Sequence, residues 1–245
     1  MFIQSNKKRR LDYLGNYKKK FIKDIIKKSK NDNESEISED EDDPLNLPNL
    51  LKNNENEDIY IKENHLYFHT GVNEQSVDKV KKLMRDYYNK TMSLKKNNIC
   101  EEIITKPLYI HIFSPGGCAY SGFSLYDFII EYKKHIKVYT IVEGLAASAA
   151  TFISIAGTKR FITPSSYMLI HQLSTFMGGN FEQLKDEFDN SKKCMDKIIE
   201  IYKTHTKITV KKIPKILKHD LNWSAEESLR NGLVDEIKLI DIFND

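Results

Sequence analysis

Cysteine is scarce in this 245-residue chain: Cys100, Cys118 and Cys194 stand far apart and no CxxC pair occurs. That spacing argues against a zinc knuckle. An odd count with no secretory leader reads as reduced thiols in a cytosol-like compartment. No apolar run approaches the roughly 20 residues that cross a bilayer, so no membrane partner is expected. No internal repeat is evident. No aromatic or arginine pattern points to base readout, so no specific nucleic-acid partner is expected. Nothing in the sequence calls for a metal or an organic cofactor.

Charge is plentiful but segregated. Charged residues make up 30% of the chain, yet the net charge is only +3. The first thirty residues are strongly basic, with Lys7-Lys-Arg-Arg10 and Lys18-Lys-Lys20. Residues 31–58 are strongly acidic, with Glu39-Asp-Glu-Asp-Asp43 at their centre. Such blocks repel themselves and stay solvated. Residues 1–58 are therefore expected to be a disordered extension, with Pro44-Leu-Asn-Leu-Pro-Asn-Leu-Leu51 as a docking patch. The basic start has Phe21, Ile25 and Ile26 at helical spacing, but it also carries Asp12 and Asp24 and few serines. A solvated arm on a cytoplasmic protein is the first reading, and an organelle presequence is the alternative.

After residue 58 the pattern changes to strands and helices in alternation. Ile59-Tyr-Ile61 and His65-Leu-Tyr-Phe-His69 read as strands. Glu74 to Lys90 reads as a helix with Val77, Val80, Leu83, Met84 and Tyr87 on one face. Residues 91–106 read as a polar insertion. Leu108 to Phe113 is a strand that stops at the turn Ser114-Pro-Gly-Gly117. Ser121 is placed to cap a following helix. Lys137 to Val142 is the next strand, broken by Gly144. A small-residue helix runs from Ala146 to Ala156. Arg160 to Thr163 and Tyr167 to His171 are strands around Pro164. Asn180, with Gln183 three residues on, opens a helix of about six turns carrying Leu184, Phe188, Met195, Ile198 and Tyr202. Its apolar stripe fits either a core or a second subunit. Ser224 and Glu227 box the start of a last helix that ends at Gly232, and Leu233-Val234 begins a final strand. This alternation implies βαβ units and a mainly parallel sheet, an α/β fold.

Four features carry candidate chemistry. Ser148 follows a strand and a glycine and opens a helix, where a nucleophile gains from the helix N-terminus. The same Gly-Ala-Ala-Ser run also suits plain close packing. His171 ends an apolar strand, where open α/β sheets place their sites, although a structural histidine fits there too. Gly116 and Gly117 form a turn able to aim N–H groups into a cleft, or simply a tight turn. Asp220 precedes a helix cap and serves either as a turn former or as the partner of a histidine.

Their order and context are more specific than any one of them. Ser114-Pro-Gly-Gly117, Gly122, Tyr126-Asp127, Gly144-Leu-Ala-Ala-Ser148, Ala156-Gly157, Lys159-Arg160, Pro164-Ser165 and Met168-Leu-Ile-His-Gln172 resemble the ClpP family of serine peptidases. So do His205-Thr206, Asp220, Ser224-Ala-Glu-Glu227 and Gly232-Leu-Val-Asp235. The resemblance covers about residues 59–245 and implies a ClpP/crotonase-like ββα spiral with a protruding handle helix from Asn180. It implies Ser148 as nucleophile, His171 as general base and Asp220 as the orienting carboxylate. The N–H groups of Gly117 and Ala149 would form the oxyanion hole. Gly116, Leu173 and Ser174 would bind a polypeptide substrate as an added β-strand. It also implies a homo-oligomer, two stacked seven-membered rings enclosing a chamber, fed by an ATP-driven AAA+ unfoldase.

The chain departs from the family at Phe113, at Leu173 and in residues 1–58, which do not resemble the family's pore loops. Two other readings share the fold: a non-catalytic ring subunit, and a crotonase-type acyl-CoA enzyme with a glycine-backed oxyanion hole. Self-cleavage near residue 58 is a further expectation, from the change of composition there.

Overall fold

The computed structural model describes residues 58–96 and 106–239. These all fall in the second of the chain's two compact units, residues 54–245. The readings made for residues 1–57 and for 97–105 lie outside the described residues.

The elements run β1 (Ile59–Lys62), β2 (His65–Phe68), α1 (Glu74–Lys96), β3 (Leu108–Ser114), α2 (Ala119–Tyr132), β4 (Val138–Ala147), α3 (Ala149–Ile155), β5 (Lys159–Ile162) and β6 (Tyr167–Leu169). Then follow α4 (Phe181–His205), α5 (Ile213–Ile216), β7 (Asn222–Trp223), α6 (Ala225–Arg230) and β8 (Glu236–Ile237). One sheet has the order β1-β2-β3-β4-β5-β8, with β6 and β7 branching from β4. Among the described residues only β1–β2 and β6–β7 pair antiparallel, so the expected mainly parallel α/β sheet with flanking helices is present.

Alternation along the strands fixes the two faces of the sheet. Leu66 and Phe68, then Leu108, Ile110 and Ile112, then Val138 and Val142 point to one side and are fully buried. Val77, Val80 and Met84 of α1, Leu125 and Ile129 of α2 and Ile153 of α3 close that core. Each such side chain contributes about 1.5–3 kcal/mol through removal from water. The opposite face is aromatic and polar. His65 stacks on Tyr109 and Tyr67 on His111, at centroid distances of 4.8 and 4.5 Å. His65 Nδ1 meets His111 Nε2 at 2.8 Å, and His111 Nδ1 meets Glu143 Oε1 at 2.8 Å. Burial alone would raise the pKa of Glu143, but His111, His69 and His65 hold it below the ordinary carboxylate value.

Strand β4 does more than the sequence implied. Gly144 does not end it; the strand continues to Ala147. Between Ile112↔Val142 and Ser114↔Ala146, β3 advances two residues while β4 advances four. Gly144, at φ +81°, takes up that bulge, and a Cβ there would lie 3.0 Å from the Phe113 ring. Before the bulge β4 pairs with β5; beyond it, Leu145 to Ala147 pair with β6 instead. The bulge therefore sends the end of β4, and Ser148 after it, toward β6.

Other boundaries move as well. Helix α1 runs six residues past Lys90, so the first part of the expected insertion is helical. Helix α2 is capped at Cys118, three residues before Ser121. Helix α3 is only seven residues long, because the tail of β4 takes Ala146 and Ala147. The last strand is β8, beyond Leu233-Val234, which are buried outside it. Both capping boxes form as expected, at Asn180/Gln183 and Ser224/Glu227. The stripe of α4 is divided: Ile198 and Tyr202 are buried, whereas Leu184 and Phe188 are exposed.

Candidate active site

Ser148 occupies the sharp turn between β4 and α3, at φ 55° and ψ −126°. A non-glycine residue rarely adopts that conformation, and it costs about 1–3 kcal/mol. The surroundings hold it there. Its N–H donates to Leu169 O at 2.8 Å, and its carbonyl accepts from Thr151 N–H at 3.0 Å and Thr151 Oγ1 at 2.6 Å. With a helix of only two turns behind it, any field at Ser148 comes from the nearest N–H groups rather than from a long dipole.

Pairing across the sheet brings His171 to Asp220. Met168↔Trp223 and Leu169↔Asn222 form the short antiparallel ladder of β6 with β7. Continuing that register two residues past the strand ends places His171 opposite Asp220. Their side chains meet at 3.1 Å, His171 Nδ1 to Asp220 Oδ1. Gln172 N–H donates to Leu217 O at 2.7 Å, which ties the α5 region to the same ladder. Among the described residues no hydrogen bond links Ser148 Oγ to His171; such contacts are often loose before substrate binds.

The glycine turn lies against Val72. Val72 N–H donates to Gly116 O at 2.9 Å, and Val72 O accepts from Cys118 N–H at 2.8 Å. In a parallel bridge the residue between those two groups turns its own N–H away from the partner. Gly117 therefore aims its N–H away from Val72. A side chain at Gly117 would strike the Val72 carbonyl, so only glycine fits. Gly116, at φ +84°, is buried beneath the Ser148 turn, where a Cβ would sit 2.7 Å from Ser148 Cβ.

A cleft of about 230 Å³ joins these parts. Ser148, His171, Gly117, Ala149, Leu173 and Ser174 all line it. Gly116 backs the cleft rather than lining it, and Asp220 reaches it only through His171. Gln172 with Pro115, Ala119, Phe152, Ile198 and Tyr202 completes the wall, which mixes polar and apolar surface. Sequence reasoning placed Ile198 and Tyr202 on a helix stripe without assigning them to a site. Thr151 was hidden in a run of small residues. Beside the cleft, hydrogen bonds from the backbone and hydroxyl of Ser121 lower the pKa of the exposed Cys118 thiol. Among the described residues no group of His, Cys, Asp and Glu is disposed to hold a metal, and no helix is long and apolar enough to cross a membrane.

Comparison with known proteins places the chain in a family. The chain is 39% identical over 137 residues to "ATP-dependent Clp protease proteolytic subunit 2" of Treponema denticola. That stretch is 54% of this chain and 66% of the relative, so the chain spans just under two thirds of that protein's length. The sequence profile of the Clp protease family matches residues 81–240, which include Ser148, His171 and Asp220. The chain therefore belongs to the Clp protease family.

Proposed function

We propose that this chain is a serine endopeptidase that hydrolyses peptide bonds through Ser148, His171 and Asp220. The observation that carries the reading is the strained turn that presents Ser148 to the cleft lined by His171, whose other ring nitrogen meets Asp220. Ser148 Oγ attacks the peptide carbonyl while His171 Nε2 takes its proton and passes it to the leaving amine. A water then attacks the acyl-enzyme, giving its proton to His171, and Ser148 is restored. Asp220 fixes the tautomer in which His171 Nδ1 carries hydrogen, and it stabilises the imidazolium. The N–H groups of Gly117 and Ala149 receive the oxyanion. Leu173 and Ser174, on the segment after His171, hold the substrate chain as an added strand, with Gly116 shaping the turn beneath.

The assembly is part of the proposal: stacked rings of this chain, with α4 as the handle between them and an ATP-driven AAA+ unfoldase as partner. Phe181, Leu184 and Phe188 support it, since they leave the first half of α4 with an exposed apolar face. An unspecific site needs a chamber to keep folded proteins away. The free thiols of Cys118 and Cys194 are in keeping with a cytoplasmic setting.

The full-length chain, incubated with a fluorogenic peptide and with a panel of acyl-CoA thioesters, tests the activity. Peptide hydrolysis that disappears in Ser148→Ala and His171→Ala is the expected result. Thioester hydrolysis without peptide cleavage would replace the proposal with a crotonase-type reaction. Inactivity of a folded ring toward both would leave a structural subunit.

A further inference from the structure

Three oxygens connect the long helix to the nucleophile's turn. Tyr202 OH lies 2.7 Å from Thr151 Oγ1, which lies 2.6 Å from the carbonyl oxygen of Ser148. The direction of the chain is fixed. A carbonyl only accepts, so the single hydroxyl hydrogen of Thr151 goes to Ser148 O. Tyr202 must then donate to Thr151. Both side chains are buried, at 1% and 0% exposure, so water does not compete for either hydroxyl. Burial pushes the Tyr202 phenol well above its ordinary pKa, which keeps its hydrogen in place. The ring is held against Phe152 at a centroid distance of 5.8 Å.

The consequence lies in the peptide plane. Ser148 C=O and Ala149 N–H belong to one trans peptide unit, and in such a unit they point in opposite directions. Whatever pins the carbonyl aims the N–H. The carbonyl is held on the α3 side by Thr151 N–H and Thr151 Oγ1 together. That leaves Ala149 N–H directed away from α3, and Ala149 lines the cleft.

We propose that Thr151 and Tyr202 are positioning residues, which aim the Ala149 N–H at the oxyanion by fixing the Ser148 carbonyl. The inference rests on the serine-hydrolase reading above. It makes the seating of α4, through Tyr202, a determinant of the nucleophile's geometry. Neither residue touches the reacting atoms through its hydroxyl.

The test is kcat and KM for a fluorogenic peptide, measured on the full chain well below each variant's unfolding temperature. Thr151→Val removes the hydroxyl at nearly constant shape. Thr151→Ser keeps it, and Tyr202→Phe removes the outer donor alone. Loss of a whole oxyanion donor typically lowers kcat about 10²–10³-fold, and a misaimed donor less. Thr151→Val is expected to lower kcat about 10–100-fold with KM nearly unchanged. Tyr202→Phe is expected to lower it less, and Thr151→Ser to recover most of it. A merely structural role would lower the unfolding temperature and leave kcat below that temperature unchanged. Wild-type kcat in Thr151→Val overturns the inference, as does equal loss in Thr151→Ser and Thr151→Val. Should Thr151→Val fail to fold, wild-type kcat in Tyr202→Phe overturns it. A wild-type chain that cleaves no peptide overturns the hydrolase reading itself, and the inference with it; an active wild type with unaffected variants overturns the inference alone.

Discussion

His171 Nδ1 lies 3.1 Å from Asp220 Oδ1, yet the Asp220 side chain is 79% exposed while that of His171 is 24% exposed. The carboxylate beside the imidazole is therefore largely hydrated. A buried carboxylate in this role is worth about 10⁴ in rate. Solvent screening weakens an exposed one. Asp220→Asn is expected to lower peptide hydrolysis only about 10–100-fold, because water already screens the charge that is lost. Initial rates of the two proteins on a fluorogenic peptide check this. A loss as large as that of Ser148→Ala would mean that Asp220 is shielded in the working enzyme.

The backbone at Ser148 is a second point of test. At φ 55° the serine Cβ is strained, and glycine would not be. Ser148→Ala keeps the strain and Ser148→Gly relieves it. The glycine variant is expected to be more stable than the alanine variant by about 1 kcal/mol. Urea unfolding of the two variants measures it. Equal stability would mean that the turn relaxes once the serine is gone.

These two features differ in how far the sequence foretold them. The capping boxes at Asn180 and Ser224 were legible because a cap is a local pattern of two residues three apart. The core strands β3 and β4 were legible from their apolar, β-branched composition. Ser148, His171 and Asp220 stood out only as a joint order of motifs. Their geometry did not, because it depends on long-range pairing. Strand β7 has two residues, too few for any periodicity, yet its register with β6 is what faces Asp220 to His171. Gly144 looked like a strand breaker because a positive-φ glycine usually ends an element. Here it sits in a bulge that carries β4 onward to Ser148. The Thr151–Tyr202 contact joins residues 51 apart and left no local signal.

Stability should depend on pH in a defined window. Burial lowers the pKa of His69 from its ordinary 6.5, with Glu143 and Asp58 opposing in part. Burial also lowers that of His205, helped by Lys133 and Arg160. Below about pH 6.5 the unfolded chain takes up protons that the folded chain resists, so stability falls as pH falls. The fall ends once the folded histidines themselves titrate. Unfolding midpoints at pH 7.5 and 5.5 should therefore decrease for the wild type and converge for the His69→Gln/His205→Gln double variant. A flat wild-type profile across that interval would contradict the assignment.

The central claim is that Ser148 is an activated nucleophile. A fluorophosphonate probe reacts with such a serine and with few others, and intact-mass analysis counts the adducts. One adduct per chain is expected on the assembled wild-type protein, mapped to Ser148 and absent from Ser148→Ala. An assembled, folded wild-type protein that gains no mass at Ser148 would contradict it.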